Sequence, residues 1–373
     1  MLSVGTELPR NFLYASAGGL HQILPGPTLL HLPGRRIEPL FVSVLLHGNE
    51  DTGLKAVQAV LGKYGNRELP RALSLFVGNV QAAAQGLRRL DGQPDFNRVW
   101  PGAETATLPE HAMMRDVVAQ MHARRVFASI DIHNNTGLNP HYACVNRLDA
   151  PFLHLATLFA RTVVFFKRPL GVQSAAFAQL CPAVTVECGK AGVHDSEMHA
   201  GAFLEAALRL EHLPGHPVPR HDIDLHHTIG IVKVPEDTSF VFGDGDAAIR
   251  FEKDLDHMNF RELPAGTRIA QVASNCTAPL QVTDEDGREV FERCFEVRNG
   301  ELRTRRAVVP AMLTLNERAI RQDCLCYLME RIALPGQPGN AGSPTGTPLD
   351  AANGAVGSNS EEIARAALAG LDP

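Results

Sequence analysis

Three side chains have the types and spacing of a metal site: His47, Glu50 and His133. His47 and Glu50 lie three residues apart, where a loop would lead into a helix, so both side chains can point at one centre. His133 would reach the same centre from a neighbouring strand. Two imidazoles and one carboxylate suit a divalent ion such as zinc, and a catalytic zinc has three protein ligands and an open position. We therefore predict one zinc ion per chain at this site.

Each of these residues also has a structural interpretation when it is taken alone. A histidine at a strand end can hydrogen-bond to the backbone, and Glu50 can cap the helix that follows it. The metal interpretation is favoured because the three residues occur together. Asp131, two residues before His133, could orient that ligand. Asn134, immediately after it, could bind substrate or shape a turn.

Glu187 is the candidate general base. It lies in the apolar run 183–188, where a carboxylate without a partner would be costly or would have a raised pKa. A strand end that opens on a metal site removes this difficulty. There the carboxylate can take a proton from water and pass it to a leaving amine. The alternative is a structural glutamate in a salt bridge.

Two segments supply candidate substrate-binding cations and amides. Arg98 can bind a carboxylate through two parallel hydrogen bonds, and Asn97 can donate its amide N–H to the same group. The alternative is that Arg98 pairs with an acid such as Asp95. Upstream, Arg88 or Arg89 could polarise a scissile carbonyl or hold an oxyanion. The sequence does not decide between these two arginines.

The residues above follow apolar runs that are typical of buried strands. Runs 39–46, 126–132 and 183–188 end at or beside His47, His133 and Glu187. Helical patterns separate the runs, as strands alternate with helices in α/β proteins. The fold class is therefore predicted to be α/β with a mixed sheet. Ligands bind at the carboxyl ends of strands in such sheets, so the three ends are expected to converge.

The composition changes near 213–222, where Pro and Gly concentrate as in a linker. We predict a catalytic domain over 1–213 and a smaller β-rich domain over 223–334, with a last helix at 318–333. The residues from 335 to 373 are rich in Gly, Pro, Ser, Asn and Ala, and we expect a mostly disordered tail there.

Charge and hydropathy argue against some partners. The net charge is -6 and no dense run of Lys and Arg occurs, so we expect no nucleic-acid partner. No apolar window is long enough to span a bilayer, and the first residues lack the pattern of a signal peptide, so we expect a cytoplasmic protein without a membrane partner. The 7 cysteines are expected to be free thiols. An oligomer is allowed but not indicated.

Four segments together resemble the succinylglutamate desuccinylase/aspartoacylase family of the zinc carboxypeptidase superfamily: HGNE, DFNR, DIHNNTG and TVECG. The resemblance covers roughly residues 38–200. It implies a zinc-carboxypeptidase-like domain of mixed α/β structure, with a C-terminal β domain over the site.

The resemblance also implies roles for residues by position. His47, Glu50 and His133 match the zinc ligands, and Glu187 matches the catalytic base. Two further matches concern the substrate: Asn97 and Arg98 match the pair that holds the amino-acid carboxylate, and Arg88 or Arg89 matches the carbonyl-polarising arginine.

The sequence departs from the aspartoacylase pattern at two places. The stretch Gln173–Phe177 has neither the Tyr nor the Arg that recognise a second substrate carboxylate. Ile320 stands where these enzymes place a Tyr. Losing an arginine partner penalises a dianionic substrate, so N-acetylaspartate is disfavoured, unless Arg168 takes that place.

The function predicted from the sequence is zinc-dependent hydrolysis of an N-acyl amino acid or a similar small amide. One alternative is a carboxypeptidase-like enzyme that acts on short peptides. The other is a ligand-binding protein on the same scaffold, which would not need Glu187 as a base.

Overall fold

The computed structural model describes residues 1–334. The predicted disordered tail, 335–373, lies outside the described residues. The strands, in chain order, are β1 (Ser3–Gly5), β2 (Thr28–Leu32), β3 (Gly34–Val44), β4 (Leu69–Val77), β5 (Ala128–His133), β6 (Tyr142–Val145), β7 (Thr162–Phe165), β8 (Ala183–Glu187), β9 (Asp224–Lys233), β10 (Phe240–Phe242), β11 (Ile249–Phe251), β12 (Arg268–Val272), β13 (Gln281–Thr283), β14 (Phe295–Arg298), β15 (Glu301–Thr304), β16 (Val309–Ala311) and β17 (Cys326–Arg331).

The α-helices are α1 (Thr52–Tyr64), α2 (Val80–Ala84), α3 (Pro109–Ala123), α4 (Ala150–Phe159), α5 (Gln173–Phe177), α6 (His194–Arg209), α7 (Phe291–Cys294) and α8 (Glu317–Gln322). None of the helices in residues 1–334 is long and apolar enough to cross a membrane.

A large mixed sheet forms the centre of the described chain, in the order β1-β2-β4-β3-β5-β8-β6-β7-β9-β17-β16, with β13 paired to β9. Its middle strands β3, β5 and β8 are parallel, and β6 runs antiparallel to β8. Parallel strands end at the same edge of a sheet, so the segments after β3, β5 and β8 meet there. This arrangement confirms the predicted mixed α/β fold class.

A second sheet of five strands, in the order β10-β11-β12-β15-β14, forms in the C-terminal part of the described residues. It has its own apolar core, which includes Phe251, Leu302 and Leu328. The large sheet meanwhile continues past the predicted linker, because β7 pairs with β9 and β9 with β17. The predicted division into domains at 213–222 stays a prediction.

The strands beneath the site are fully buried because both faces of the sheet are covered. All residues of β5 and β8 are buried, as expected for strands that read as continuous apolar runs. Helix α1 packs on β3 and β5 and against α6. Three aromatic rings form a cluster in the core: the rings of Phe41 and Phe177 stack with centroids 4.3 Å apart, and Trp100 contacts Phe177 edge-on.

The predicted helix over 318–333 is wrong. Helix α8 ends at Gln322, and residues Cys326–Arg331 form β17, which pairs with β9 and β16. The segment CYLMER contains good helix formers, and a short apolar run cannot be assigned by periodicity alone. Pairing on both sides of the strand decides its conformation.

Candidate active site

His47 and Glu50 lie in the tight loop between β3 and α1. Gly48 makes this loop possible, because a Cβ at this position would lie 2.2 Å from the backbone nitrogen of Ala83. The Gly48 N–H donates to the carbonyl oxygen of Arg88 at 3.1 Å, which ties this loop to the arginine segment. The glycine of the HGNE segment therefore has a steric reason.

His133 and Glu187 are neighbours across two parallel strands. His133 ends β5, Glu187 ends β8, and the two residues are paired in register. Tyr142, the first residue of β6, pairs with Glu187 on the other side. The predicted convergence of the strand ends is thus present in the structure.

The side chains of His47, Glu50 and His133 meet at one point, with one potential ligand atom of each within 4.8 Å of the others. The Nδ1 atoms of His47 and His133 are 3.2 Å apart, and the Glu50 oxygens lie 2.8 Å from His47 Nδ1 and 2.7 Å from His133 Nδ1. Two nitrogens bound to one tetrahedral zinc at about 2.0–2.1 Å would be roughly 3.3 Å apart. The residues therefore fit a metal ion.

Each histidine of this cluster has a carboxylate behind it. His47 Nε2 lies 3.0 Å from Asp95 Oδ1, and His133 Nε2 lies 2.7 Å from Asp131 Oδ2. Ser43 donates its hydroxyl to the other oxygen of Asp131 at 2.6 Å. Such carboxylates direct the second ring nitrogen and leave Nδ1 to face the metal.

The electrostatics of the cluster favour positive charge where the ligand atoms meet. Burial by itself would lower the pKa of His133, but Asp131 and Glu50 raise it well above its usual value. Burial would raise the pKa of Glu50, but His47 and His133 hold it far below its usual range. A divalent cation would satisfy the same carboxylates.

Glu187 faces the same cavity and forms no salt bridge with a side chain of residues 1–334. Its Oε2 atom is buried and makes no hydrogen bond within residues 1–334. Burial raises the pKa of Glu187 to about 7, and the nearby charge of His133 opposes this shift. A buried, unpaired carboxylate beside a metal site is suited to proton transfer.

The structure separates the two adjacent arginines. Arg88 lines the cavity, where its Nη2 lies 2.9 Å from Asp95 Oδ2 and its Nη1 lies 3.8 Å from Glu50 Oε1. Arg89 donates instead to the carbonyl oxygen of Gln93 at 2.8 Å and is absent from the cavity lining. Of the two predicted residues, only Arg88 is brought to the site.

Asn97 and Arg98 both line the cavity, but each already has partners in the chain. The Asn97 amide group donates to Asp131 Oδ2 at 3.3 Å and its oxygen accepts from the Gln173 backbone N–H at 2.8 Å. Arg98 Nη2 donates to Asp323 Oδ1 at 2.7 Å. Arg98 therefore pairs with an acid, as the predicted alternative holds, but this acid is Asp323 and not Asp95.

Asn134 connects the segments around the metal cluster. Its side chain accepts from the Thr52 N–H at 3.2 Å and donates to the Gly189 carbonyl oxygen at 2.9 Å, while its backbone N–H donates to Glu50 Oε2 at 3.1 Å. Both ends of the amide are therefore used within the chain. This geometry favours a positioning role over the predicted contact with substrate, which stays untested.

Beyond the metal cluster the cavity wall is mostly apolar. Its surface there is provided by Val164, Phe166, Ala311, Met312 and Met329. Arg168 also lines the cavity, but its Nη1 pairs with Glu104 Oε1 at 2.9 Å. The volume is ≈ 90 Å³, and a water molecule needs about 10–15 Å³ on this measure. The space therefore suits a small molecule.

Several cavity residues escaped the sequence analysis. Asp323, Tyr327 and Met329 come from the C-terminal part of the described chain and contribute to the wall. No motif surrounds them, and Asp323 is separated from its partner Arg98 by 225 positions. Asp95 does not line the cavity, but it contacts His47 and Arg88, and its position in the DFNR segment is the sequence signal that could have indicated this role.

Comparison with known proteins supports the resemblance. Residues 37–211 match the sequence model described as "Succinylglutamate desuccinylase/Aspartoacylase catalytic domain". This match confirms the predicted resemblance over the part of the chain that contains His47, Glu50, His133 and Glu187. A comparison with curated protein sequences finds no match.

Solved structures of the same fold include three with informative names. Succinylglutamate desuccinylase from Chromobacterium violaceum is 18% identical with a TM-score of 0.52, covering 81% of this chain and 87% of its own. Murine aminoacylase 3 is 16% identical with a TM-score of 0.52, covering 80% and 96%. The product-bound ectoine utilization protein EutE (DoeB) from Ruegeria pomeroyi is 16% identical with a TM-score of 0.51, covering 82% and 88%. At these identities the likeness establishes the fold.

Proposed function

We propose that the protein is a zinc-dependent amidohydrolase that removes the acyl group from a small N-acyl amino acid, giving a carboxylate and an amine. The observation that carries this proposal is the meeting of His47, Glu50 and His133 beside Glu187 in one small cavity. The match of residues 37–211 to the family's catalytic domain supports the same class of reaction.

The donor set favours zinc as the metal, since two imidazoles and one carboxylate leave an open position for chemistry. When bound by these residues, zinc supplies Lewis acidity that polarises an amide carbonyl and lowers the pKa of a water molecule toward ~7. Asp95 and Asp131 contribute by holding the two histidine rings in place.

Glu187 performs the proton transfers. As a carboxylate it accepts a proton from the attacking water, and as an acid it returns the proton to the nitrogen of the leaving amine. Its position supports this role, because it is next to His133 in register and its Oε2 has no partner in the described chain.

Arg88 stabilises the negative charge that develops on the carbonyl oxygen during attack. Its guanidinium is oriented by Asp95 and Asp323 and lies close to Glu50, so it faces the side of the cavity where the carbonyl would be bound. Arg89 is directed away from the cavity and has no role in this proposal.

The two other parts of the substrate meet different surfaces. Arg98, supported by Asn97, is the group that binds the substrate carboxylate. The wall that includes Val164, Phe166 and Met329 receives the remaining group, which is therefore apolar. The cavity is too small for a long peptide, which favours an N-acyl amino acid over the carboxypeptidase-like alternative.

The test measures amine release by the zinc-loaded protein from formyl, acetyl and succinyl amino acids and from short peptides. Wild-type protein should act on one acyl class, and Glu187→Gln should lower the rate by about 10²–10⁴-fold, the usual contribution of a general base. The zinc content of Glu187→Gln should equal that of the wild type, since the residue is outside the ligand set.

Glu330→Gln is the matched control, because Glu330 pairs with Arg306 on the surface and is absent from the cavity lining. It should retain the wild-type rate. If the zinc-loaded wild type releases amine only from peptides, the carboxypeptidase-like alternative is correct. Tight ligand binding without turnover, unaffected by Glu187→Gln, would instead identify a ligand-binding protein.

A further inference from the structure

The carboxylate of Asp323 lies between two arginines of the cavity wall. Its Oδ1 accepts from Arg98 Nη2 at 2.7 Å and its Oδ2 accepts from Arg88 Nη2 at 3.3 Å. The side chains of these three residues are between 14% and 26% exposed, so water screens the pairing only partly. Asp323 thus places a carboxylate of the protein against the two arginines that could bind an anionic ligand.

Asp323 also neutralises the positive charge of Arg98. Within 4.0 Å, Arg98 has no other carboxylate partner in residues 1–334, whereas Arg88 also pairs with Asp95. The other terminal nitrogen of Arg98, Nη1, donates to the Asn97 carbonyl oxygen at 2.8 Å. A substrate carboxylate that approaches Arg98 therefore meets a guanidinium with both terminal nitrogens engaged.

Attachment of α8 to the rest of the chain does not depend on this ion pair. Arg321 of this helix donates to the carbonyl oxygens of Pro235 and Thr238 at 2.8 and 2.6 Å. Asn316 caps its first turn through the Ala319 N–H, and Ile320 is buried. The ion pairs of Asp323 are therefore not the only contacts that hold α8 in place, and they can have another role.

We propose that Asp323 is a specificity-determining residue, whose carboxylate occupies the position on Arg98 that a substrate carboxylate would take. It acts as an internal competitor and weakens the binding of carboxylate ligands relative to what Arg98 would provide without it. Neutral ligands of the same shape do not compete with it. This proposal rests on the proposed function for the role of Arg98 toward a substrate carboxylate.

The test compares two ligands that differ only in charge, N-acetyl-L-leucine and its carboxamide N-acetyl-L-leucinamide. Their dissociation constants are measured by calorimetry with zinc-loaded Glu187→Gln protein, with and without Asp323→Asn, so that turnover does not interfere. Asp323→Asn keeps the shape and one acceptor but removes the charge. We expect the acid to bind on the order of tenfold more tightly to Asp323→Asn, with the amide changed little.

Glu104→Gln is the matched control for charge. Glu104 pairs with Arg168, which also lines the cavity, so this change removes one negative charge near the same space without freeing Arg98. Its affinity for the acid should stay near that of the parent. An equal gain in Glu104→Gln would overturn the proposal, because general electrostatics or the freed Arg168, and not competition at Arg98, would then set the affinity.

Weaker or unchanged binding of the acid to Asp323→Asn would overturn the proposal and identify Asp323 as a residue that positions Arg98. Failure of Asp323→Asn to bind the acid would overturn it as well, because the freed Arg98 should hold a carboxylate. Asp323→Ser serves as the second variant if Asp323→Asn does not fold. Failure of the proposed function would be seen separately, as an absence of amine release from every N-acyl amino acid of the formyl, acetyl and succinyl panel by the zinc-loaded wild type.

Discussion

The two ends of the cavity differ in chemistry and in the part of the chain that builds them. The metal end is made by short segments at the ends of β3, β5 and β8, and it carries His47, His133 and Glu187. The other wall is made largely by β7, β16 and β17 and is mostly apolar, although Thr228, Tyr327, Asp323 and Arg168 also line it. If the proposed function holds, the metal end carries the reaction and binds the substrate carboxylate, and the apolar wall selects the remaining group of the substrate.

If the metal end depends on fixed histidine rings, removing a carboxylate behind one ring should have the largest effect. Asp131→Asn should weaken zinc binding by about 10–100-fold, because it loses the charge that directs His133 Nε2. Competition with a chelator of known affinity measures this constant. Asp256→Asn changes a carboxylate that is also buried but lies outside the cavity, and it should bind zinc as the wild type does. Equal zinc affinity in both variants would contradict the role of Asp131.

A change in the apolar wall should affect substrate choice and leave the metal end intact. Phe166→Ala removes a ring that lines the cavity, so kcat/KM for N-acyl amino acids with apolar side chains should fall on the order of tenfold. Zinc affinity should not change. Phe165→Ala alters the preceding residue, which is absent from the lining, and serves as the control. A loss of zinc in Phe166→Ala, or equal losses for polar and apolar substrates, would show that the two ends are not separate.

The smallest effect on stability is expected from Glu285, which lies outside the cavity and contacts Lys167 and His227. Glu285 accepts from Lys167 and His227, each at 3.0 Å. Burial by itself would raise the pKa of Glu285, but the hydrogen bonds from Lys167 and His227 outweigh it and lower the pKa. A carboxyl group whose pKa is lower in the folded state stabilises the fold at pH values above its pKa in the unfolded chain. This contribution is lost as the pH falls through the pKa of the folded state.

The melting temperature of Glu285→Gln should therefore be slightly below that of the wild type at neutral pH, and the two should converge in acid, below the ordinary glutamate pKa of 4.5. The difference should correspond to about 0–1 kcal/mol, since the pair is partly exposed. Thermal unfolding of both proteins across this pH range is the measurement. A constant difference at every pH would contradict an ionic origin.

Much of the catalytic part could be predicted because its signals are local. Apolar runs 39–46, 126–132 and 183–188 end near polar residues, and β3, β5 and β8 are found at those places, although β3 begins at Gly34 and not at residue 39. The C-terminal part was less predictable. The short strands β10, β11 and β16 have three residues each, too few for a periodic pattern, and the sequence predicts a helix where β17 forms.

The meeting of His47, Glu50 and His133 beside Glu187 could be predicted from the sequence, because each segment follows a strand whose apolar pattern is local, and parallel strands bring their ends together. Which of Arg88 and Arg89 enters the cavity depends on the tertiary structure, since the directions of neighbouring side chains are not encoded by their spacing. It also placed Asp323 against Arg98 across 225 positions. Contacts of this kind depend on the path of the whole chain, and their residues carry no local pattern that predicts them.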